Sequence, residues 1–129
     1  IASGLGEAPI RWIVDDVRKF VERETRRGNL YHGVILDPPS FGRGAKNEVW
    51  KIEKDLPQLL LGIKDILAPD FKFIHLSCHT PGYTPLVLEN LIVDFFGASK
   101  SHLHSEEMIV PCKEHVALPS GVSCLYLRK

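Results

Sequence analysis

Residues 32 to 41 read His-Gly-Val-Ile-Leu-Asp-Pro-Pro-Ser-Phe, an apolar run that ends on an acid, two prolines and, after a serine, an aromatic ring. No other stretch constrains the fold as tightly. Three consecutive aliphatic residues, Val34 to Leu36, suit a strand buried on both faces of a parallel sheet, and open α/β sheets form their ligand crevice in the turn after such a strand. Proline has no N–H to donate, and Pro39 drives Pro38 into extended geometry, so the two carbonyls at this strand end should be stiff and free to accept. A rigid row of acceptors beside the ring of Phe41 suits a planar base. The plainer reading is strand punctuation, since an acid and prolines commonly close a strand.

The rest of the chain alternates strand and helix patterns. Ile10 to Val14 reads as a strand, and Asp15-Asp16 then cap a helix carrying Val17, Phe20 and Val21, which Gly28 closes. Residues 42 to 50, rich in glycine and charge, read as a loop. Asp55 is the expected cap of a second helix, with Pro57 in its first turn and Leu56, Leu59, Leu60, Ile63, Ile66 and Leu67 on one apolar face. Lys72 to Cys78 makes a strand, His79 to Pro85 a loop, and Leu86 to Phe96 a helix that is apolar nearly all round. Glu106 to Val110 and Val122 to Leu127 follow each other without a helix between, which predicts an antiparallel pair.

Bulk properties permit a single domain spanning residues 1–129, since a chain of this length with 44% hydrophobic residues buries roughly two thirds of its unfolded surface. Sixteen basic residues balance sixteen acidic ones, so any contact with nucleic acid has to be local. Cys78, Cys112 and Cys124 form no Cys-x-x-Cys pair, which suits reduced thiols in a cytoplasm. The spacings of His75, Cys78, His79, His102 and His104 predict no metal site. There is no apolar run of the roughly twenty residues that span a bilayer and no secretory signal pattern, so no membrane association is expected.

The Asp-Pro-Pro-aromatic pattern after a buried strand resembles motif IV of class I S-adenosylmethionine-dependent methyltransferases. More narrowly, Ile35-Leu36-Asp37-Pro38-Pro39-Ser40-Phe41-Gly42-Arg43-Gly44, with Trp50 following, is similar to the group containing bacterial 23S rRNA cytosine-carbon-5 and guanine-N7 methyltransferases. The resemblance covers essentially the whole chain. It implies an α/β, Rossmann-like methyltransferase sheet of which this chain supplies family strands three to seven, with parallel strands, helices on both faces and a C-terminal antiparallel hairpin. Strands one and two, with the glycine-rich turn between strand and helix, have no counterpart before Ile10, and Gly4-Leu5-Gly6 is no substitute because no hydrophobic strand leads into it. We therefore read residues 1–129, which begin at Ile1 without a methionine, as the C-terminal part of a methyltransferase catalytic domain.

Carried over residue by residue, the resemblance implies S-adenosylmethionine as cofactor, its main binding motif lying outside this chain. Asp16 and Val17 would meet the adenine, with Asp15 as the alternative acid, although both acids equally suit the cap of a helix. Asp37 would lie beside the methionine part and the target atom, Pro38 and Pro39 would present carbonyls, and Phe41 would stack on a base. Ser40, Arg43, Lys46 and Trp50 are the further substrate-binding candidates. Two chemistries stay open. A nitrogen target needs only alignment, whereas carbon 5 of cytosine needs a thiolate that first attacks carbon 6, for which Cys78, aided by His79, is the candidate; a buried core cysteine is the alternative.

The implied partner is ribosomal RNA, and the isolated chain is expected to be inactive with negligible cofactor affinity. The alternatives are a non-catalytic nucleic-acid or partner-binding module and a self-associating fragment. The implied family order three, two, one, four, five, seven, six leaves the Val34 strand with an open edge when strands one and two are missing. That edge should pair either with the Ile10 strand or between chains, and the Leu86 to Phe96 helix offers a second route to a homo-oligomer.

Overall fold

The computed structural model describes residues 4–43 and 48–128. Helix α1 (Val17–Arg27) leads to strand β1 (Gly33–Leu36), a hairpin of β2 (Phe41–Arg43) and β3 (Val49–Lys51), helix α2 (Ile52–Asp65), strand β4 (Phe73–Cys78), helix α3 (Pro85–Phe96), and the strand pair β5 (Leu103–Val110) and β6 (Leu118–Leu127).

Helix α1 begins where the sequence places it. The Asp16 side chain accepts from the backbone N–H groups of Arg18 and Lys19, and Gly28 closes the helix in the left-handed region at φ 68°. Such an N-cap contributes about 1 kcal/mol. Helix α2 starts at Ile52, before its expected cap, because Lys51 supplies the extended cap residue and the Asp55 carboxylate reaches back to accept its N–H at 2.7 Å. Pro57 consequently sits inside the helix rather than in its first turn.

The main sheet runs β1-β4-β6-β5, parallel between β1 and β4 and antiparallel across the other two junctions. This is the strand order implied for family strands four, five, seven and six, with the expected C-terminal hairpin. Leu36, Ile74, Leu76, Cys78, Val122, Cys124 and Tyr126 fall on one face by register, are buried, and pack with Val21 of α1, Leu56, Leu60 and Ile63 of α2, and Leu88 and Ile92 of α3. Gly33 lies against the ring of Phe73, which a Cβ there would have to displace. On the other face Phe73, His75 and Leu125 are half-buried and Ile35 is 71% exposed. Helix cover for that face is not supplied by the described residues.

Three local expectations change. Ile10 to Val14 forms no strand, and Trp12 is 83% exposed. A strand exists only as one member of a hydrogen-bonded pair, and this segment pairs with no strand among the described residues. Direct pairing between it and the Val34 strand is likewise absent, since β1 pairs only with β4 among the described residues. The loop expected over 42 to 50 contains the β2–β3 hairpin instead, with Gly42 opposite Trp50. Its strands are three residues each, too short for alternation to stand out against glycine and charge.

The open β1 edge and the uncovered face leave a large surface. The accessible area is 9060 Å², against about 6,900 Å² for a compact monomer of this mass. An apolar groove between α1 and β1, walled by Phe20, Tyr31, Val34 and Ile63, runs along that edge. No helix among the described residues is long and apolar enough to cross a membrane.

Candidate functional site

At the C-terminal end of β1 a cavity of about 440 Å³ brings together the two segments singled out from sequence: Asp16 and Val17 from the start of α1, and Asp37, Pro38 and Pro39 from the turn after β1. Arg18, Arg43, Glu48, Trp50 and Leu59 are among the other residues of the wall. The parallel β1–β4 register places the turn level with the end of β4, so residues from that strand hold it from the side.

The Asp37 carboxylate takes its anchors on one oxygen. The hydroxyl of Ser77 donates to Oδ1 at 2.6 Å, and Nε2 of His79 lies 3.4 Å from the same atom. The sequence reading pairs His79 with the thiol of Cys78, whereas the structure turns its Nε2 to Asp37. Of the two stiff carbonyls, that of Pro39 is occupied by the indole N–H of Trp50 at 2.7 Å. Two free acceptors become one, because the tryptophan expected to stack on substrate is recruited as a donor to the turn. Trp50 is 9% exposed, and the Arg18 guanidinium lies 5.9 Å from its ring centroid.

Asp16 lines the cavity while capping α1, and its carboxylate pairs with Arg18 at 3.2 Å. That hydrogen bond, with help from the backbone N–H groups of Lys19 and Arg18, holds its carboxyl below the usual range in spite of partial burial. Arg18 also reaches Asp55 at 3.4 Å, which ties the start of α1 to α2. Sequence reading missed Arg18, since nothing in an arginine in the first turn of a helix marks it as a bridge. Asp15 is outside the cavity wall: it pairs with Arg23 at 2.8 Å and accepts the Asp16 N–H.

The remaining candidates divide. Ser40 Oγ meets Thr80 Oγ1 at 2.7 Å, which joins the turn to the loop after β4. Phe41 is 54% exposed, opposite Lys51 in the hairpin and outside the cavity wall. Lys46 lies outside the described residues. Cys78 is 1% exposed on the core face of β4, and its sulfur accepts the Thr80 N–H at 3.5 Å. It does not line the cavity. Among the described residues no group of three or more His, Cys, Asp or Glu side chains is placed to hold a metal ion.

Solved structures resemble this arrangement. The SAM-dependent methyltransferase from Agrobacterium tumefaciens superposes with a TM-score of 0.84 and 28% identity over 99% of this chain, which corresponds to 43% of that protein. A Streptococcus mutans protein assigned as a SAM-dependent methyltransferase gives a TM-score of 0.61 at 22% identity, covering 93% of this chain and 31% of its own. A third, assigned as a methyltransferase and crystallised with SAH, gives 0.61 at 24% identity, covering 88% and 30%. The chain therefore spans less than half the length of each. No family model and no curated protein matches the sequence. The architecture is the Rossmann-like α/β fold of the SAM-dependent methyltransferases, present here in part.

Proposed function

We propose that this chain is the base-binding part of an S-adenosylmethionine-dependent methyltransferase domain that modifies a base of ribosomal RNA. The observation that carries the reading is the single cavity joining Asp16-Val17 to Asp37-Pro38-Pro39. The fold likeness to the Agrobacterium tumefaciens methyltransferase supports it. The residues present fit the cofactor at one end: Val17 offers an apolar side chain, and Asp16 Oδ2, bonded among the described residues to Arg18 alone, keeps capacity to accept from an amine. When bound, the cofactor supplies an electrophilic methyl group.

Everything else is positioning, which is where methyl transfer gains much of its rate. Asp37 Oδ2 and the Pro38 carbonyl have no partner among the described residues, so the site presents two neighbouring acceptors. Two acceptors hold a nitrogen that carries hydrogens and draw electron density towards it. A carbon target would require Cys78 to leave the core face of β4, and its burial favours the nitrogen chemistry. Because the described residues before α1 provide no second strand against β1, this chain alone should bind the cofactor negligibly.

The test is methylation of unmodified ribosomal RNA by the complete polypeptide that carries this sequence, followed by mapping of the modified atom. A methylated base nitrogen, with transfer undiminished in Cys78→Ala, is the expected result. A 5-methylcytosine product that disappears in Cys78→Ala would replace the nitrogen mechanism with the covalent one, and no transfer to RNA would sink the reading.

A further inference from the structure

The β4 residue Ser77 belongs to no part of the cofactor or base contacts above, yet it is 6% exposed and its hydroxyl points at Asp37, the acid of the turn after β1. We propose that Ser77 is a positioning residue, which fixes the rotamer of Asp37 so that Oδ2 faces the target nitrogen. This rests on the reading of the site as a methyltransferase centre.

A serine hydroxyl carries one hydrogen and can make one strong donation at a time. Two acceptors are near: Asp37 Oδ1 at 2.6 Å and the Leu36 carbonyl at 3.3 Å. The shorter contact is to the ionisable acceptor, and hydrogen bonds to a charged acceptor are both shorter and stronger. The strand register accounts for the match. Leu36 stands opposite Leu76 in a parallel pair, so the next residues on each strand, Asp37 and Ser77, fall side by side. His79, two residues further on, adds its Nε2 to the same oxygen. Both anchors converge on Oδ1, and neither side chain lines the cavity that Asp37 lines. A serine serving only to satisfy the β1 carbonyl would not need to approach the acid.

The two readings of Ser77 separate in a pair of substitutions of equal shape. Threonine and valine add the same bulk beside Leu36, and only threonine keeps the hydroxyl. With the complete polypeptide and unmodified ribosomal RNA, Ser77→Val should lower kcat about 10- to 100-fold, the scale of a small misplacement of a reacting group. The KM for S-adenosylmethionine should stay within about twofold, since the adenine contacts at Asp16 and Val17 lie elsewhere, and Ser77→Thr should recover most of kcat.

A second readout does not depend on turnover. Three-bond NMR couplings of Asp37 should report a single χ1 rotamer in the wild type and in Ser77→Thr, and averaging in Ser77→Val. Equal kcat in the valine and threonine variants, or an unaveraged Asp37 rotamer in Ser77→Val, would overturn the proposal while leaving the methyltransferase reading intact. Absence of transfer by the wild type combined with the expected rotamer behaviour would sink the methyltransferase reading and leave Ser77 holding Asp37.

Discussion

The indole N–H of Trp50 donates to the carbonyl oxygen of Pro39 across 2.7 Å, and this bond ties the hairpin after β1 to the turn that carries Asp37. The wall of the cavity is thus one connected assembly, running from Pro39 through Trp50 and the Arg18 guanidinium to Asp16 and Asp55. Disturbing the indole should loosen the turn and the start of α1 together.

Trp50→Phe removes the donor and part of the ring volume from a nearly buried site, so it should cost about 1 to 3 kcal/mol in urea unfolding. The chain has two tryptophans, which makes the environment directly readable. Trp12→Phe, leaving only the enclosed Trp50, should give blue-shifted emission that resists acrylamide, and Trp50→Phe should give the emission of a solvated indole. Equal quenching of the two variants would contradict the bond.

Stability should depend on pH at both ends for identifiable reasons. Burial first, and the charge of Glu89 second, push the Cys124 thiol from 9.0 up to about 11. A raised folded value means that its contribution is full below pH 9 and is lost as the pH climbs towards 11. At the acid end the Tyr31 hydroxyl, then Asn29 and Arg27, hold the Glu24 carboxyl below its ordinary value of 4.5. That contribution is present above pH 4.5 and fades as the pH falls through the lower folded value. Urea midpoints across the pH range check both, with Cys124→Ala flattening the alkaline limb and Glu24→Gln the acid one.

Thiol labelling tests the same burial. Cys112 is exposed in the β5–β6 connection, whereas Cys78 and Cys124 are buried. One thiol should react promptly with a disulfide reagent in the native protein, and three after denaturation. Prompt native labelling of Cys78 would revive the covalent chemistry.

Much of the fold is readable in the sequence wherever a local signal and the tertiary solution agree. Asp16 and Gly28 bound α1, the aliphatic run Val34 to Leu36 reads as β1, and the leucine periodicity of α2 identifies its buried face. The antiparallel pairing of β5 and β6 follows from the missing helix between them. What escapes sequence reading depends on partners distant in the chain. The apolar pattern of Ile10 to Val14 is that of a strand, but pattern alone does not bring the segment into register with the open β1 edge. Nothing local to Trp50 reveals that its N–H is directed to Pro39, or that His79 turns to Asp37.

Self-association should follow from the open β1 edge, where Ile35 is 71% exposed beside an apolar groove. We expect light scattering to return a mass above that of one 129-residue chain, and Ile35→Lys to restore the monomer by placing a charge on the edge. A monodisperse monomer for the unsubstituted chain would remove this expectation.

The most direct test of the account is tritium transfer from labelled S-adenosylmethionine to unmodified ribosomal RNA by the complete polypeptide, comparing wild type with Asp37→Ala. The side chain supplies Oδ2, one of the two acceptors proposed to meet the target, and the account predicts a loss of transfer of about 100-fold or more, with the folded core intact by circular dichroism. Transfer by Asp37→Ala within about threefold of wild type would contradict it, because the turn after β1 would then not hold the reacting base.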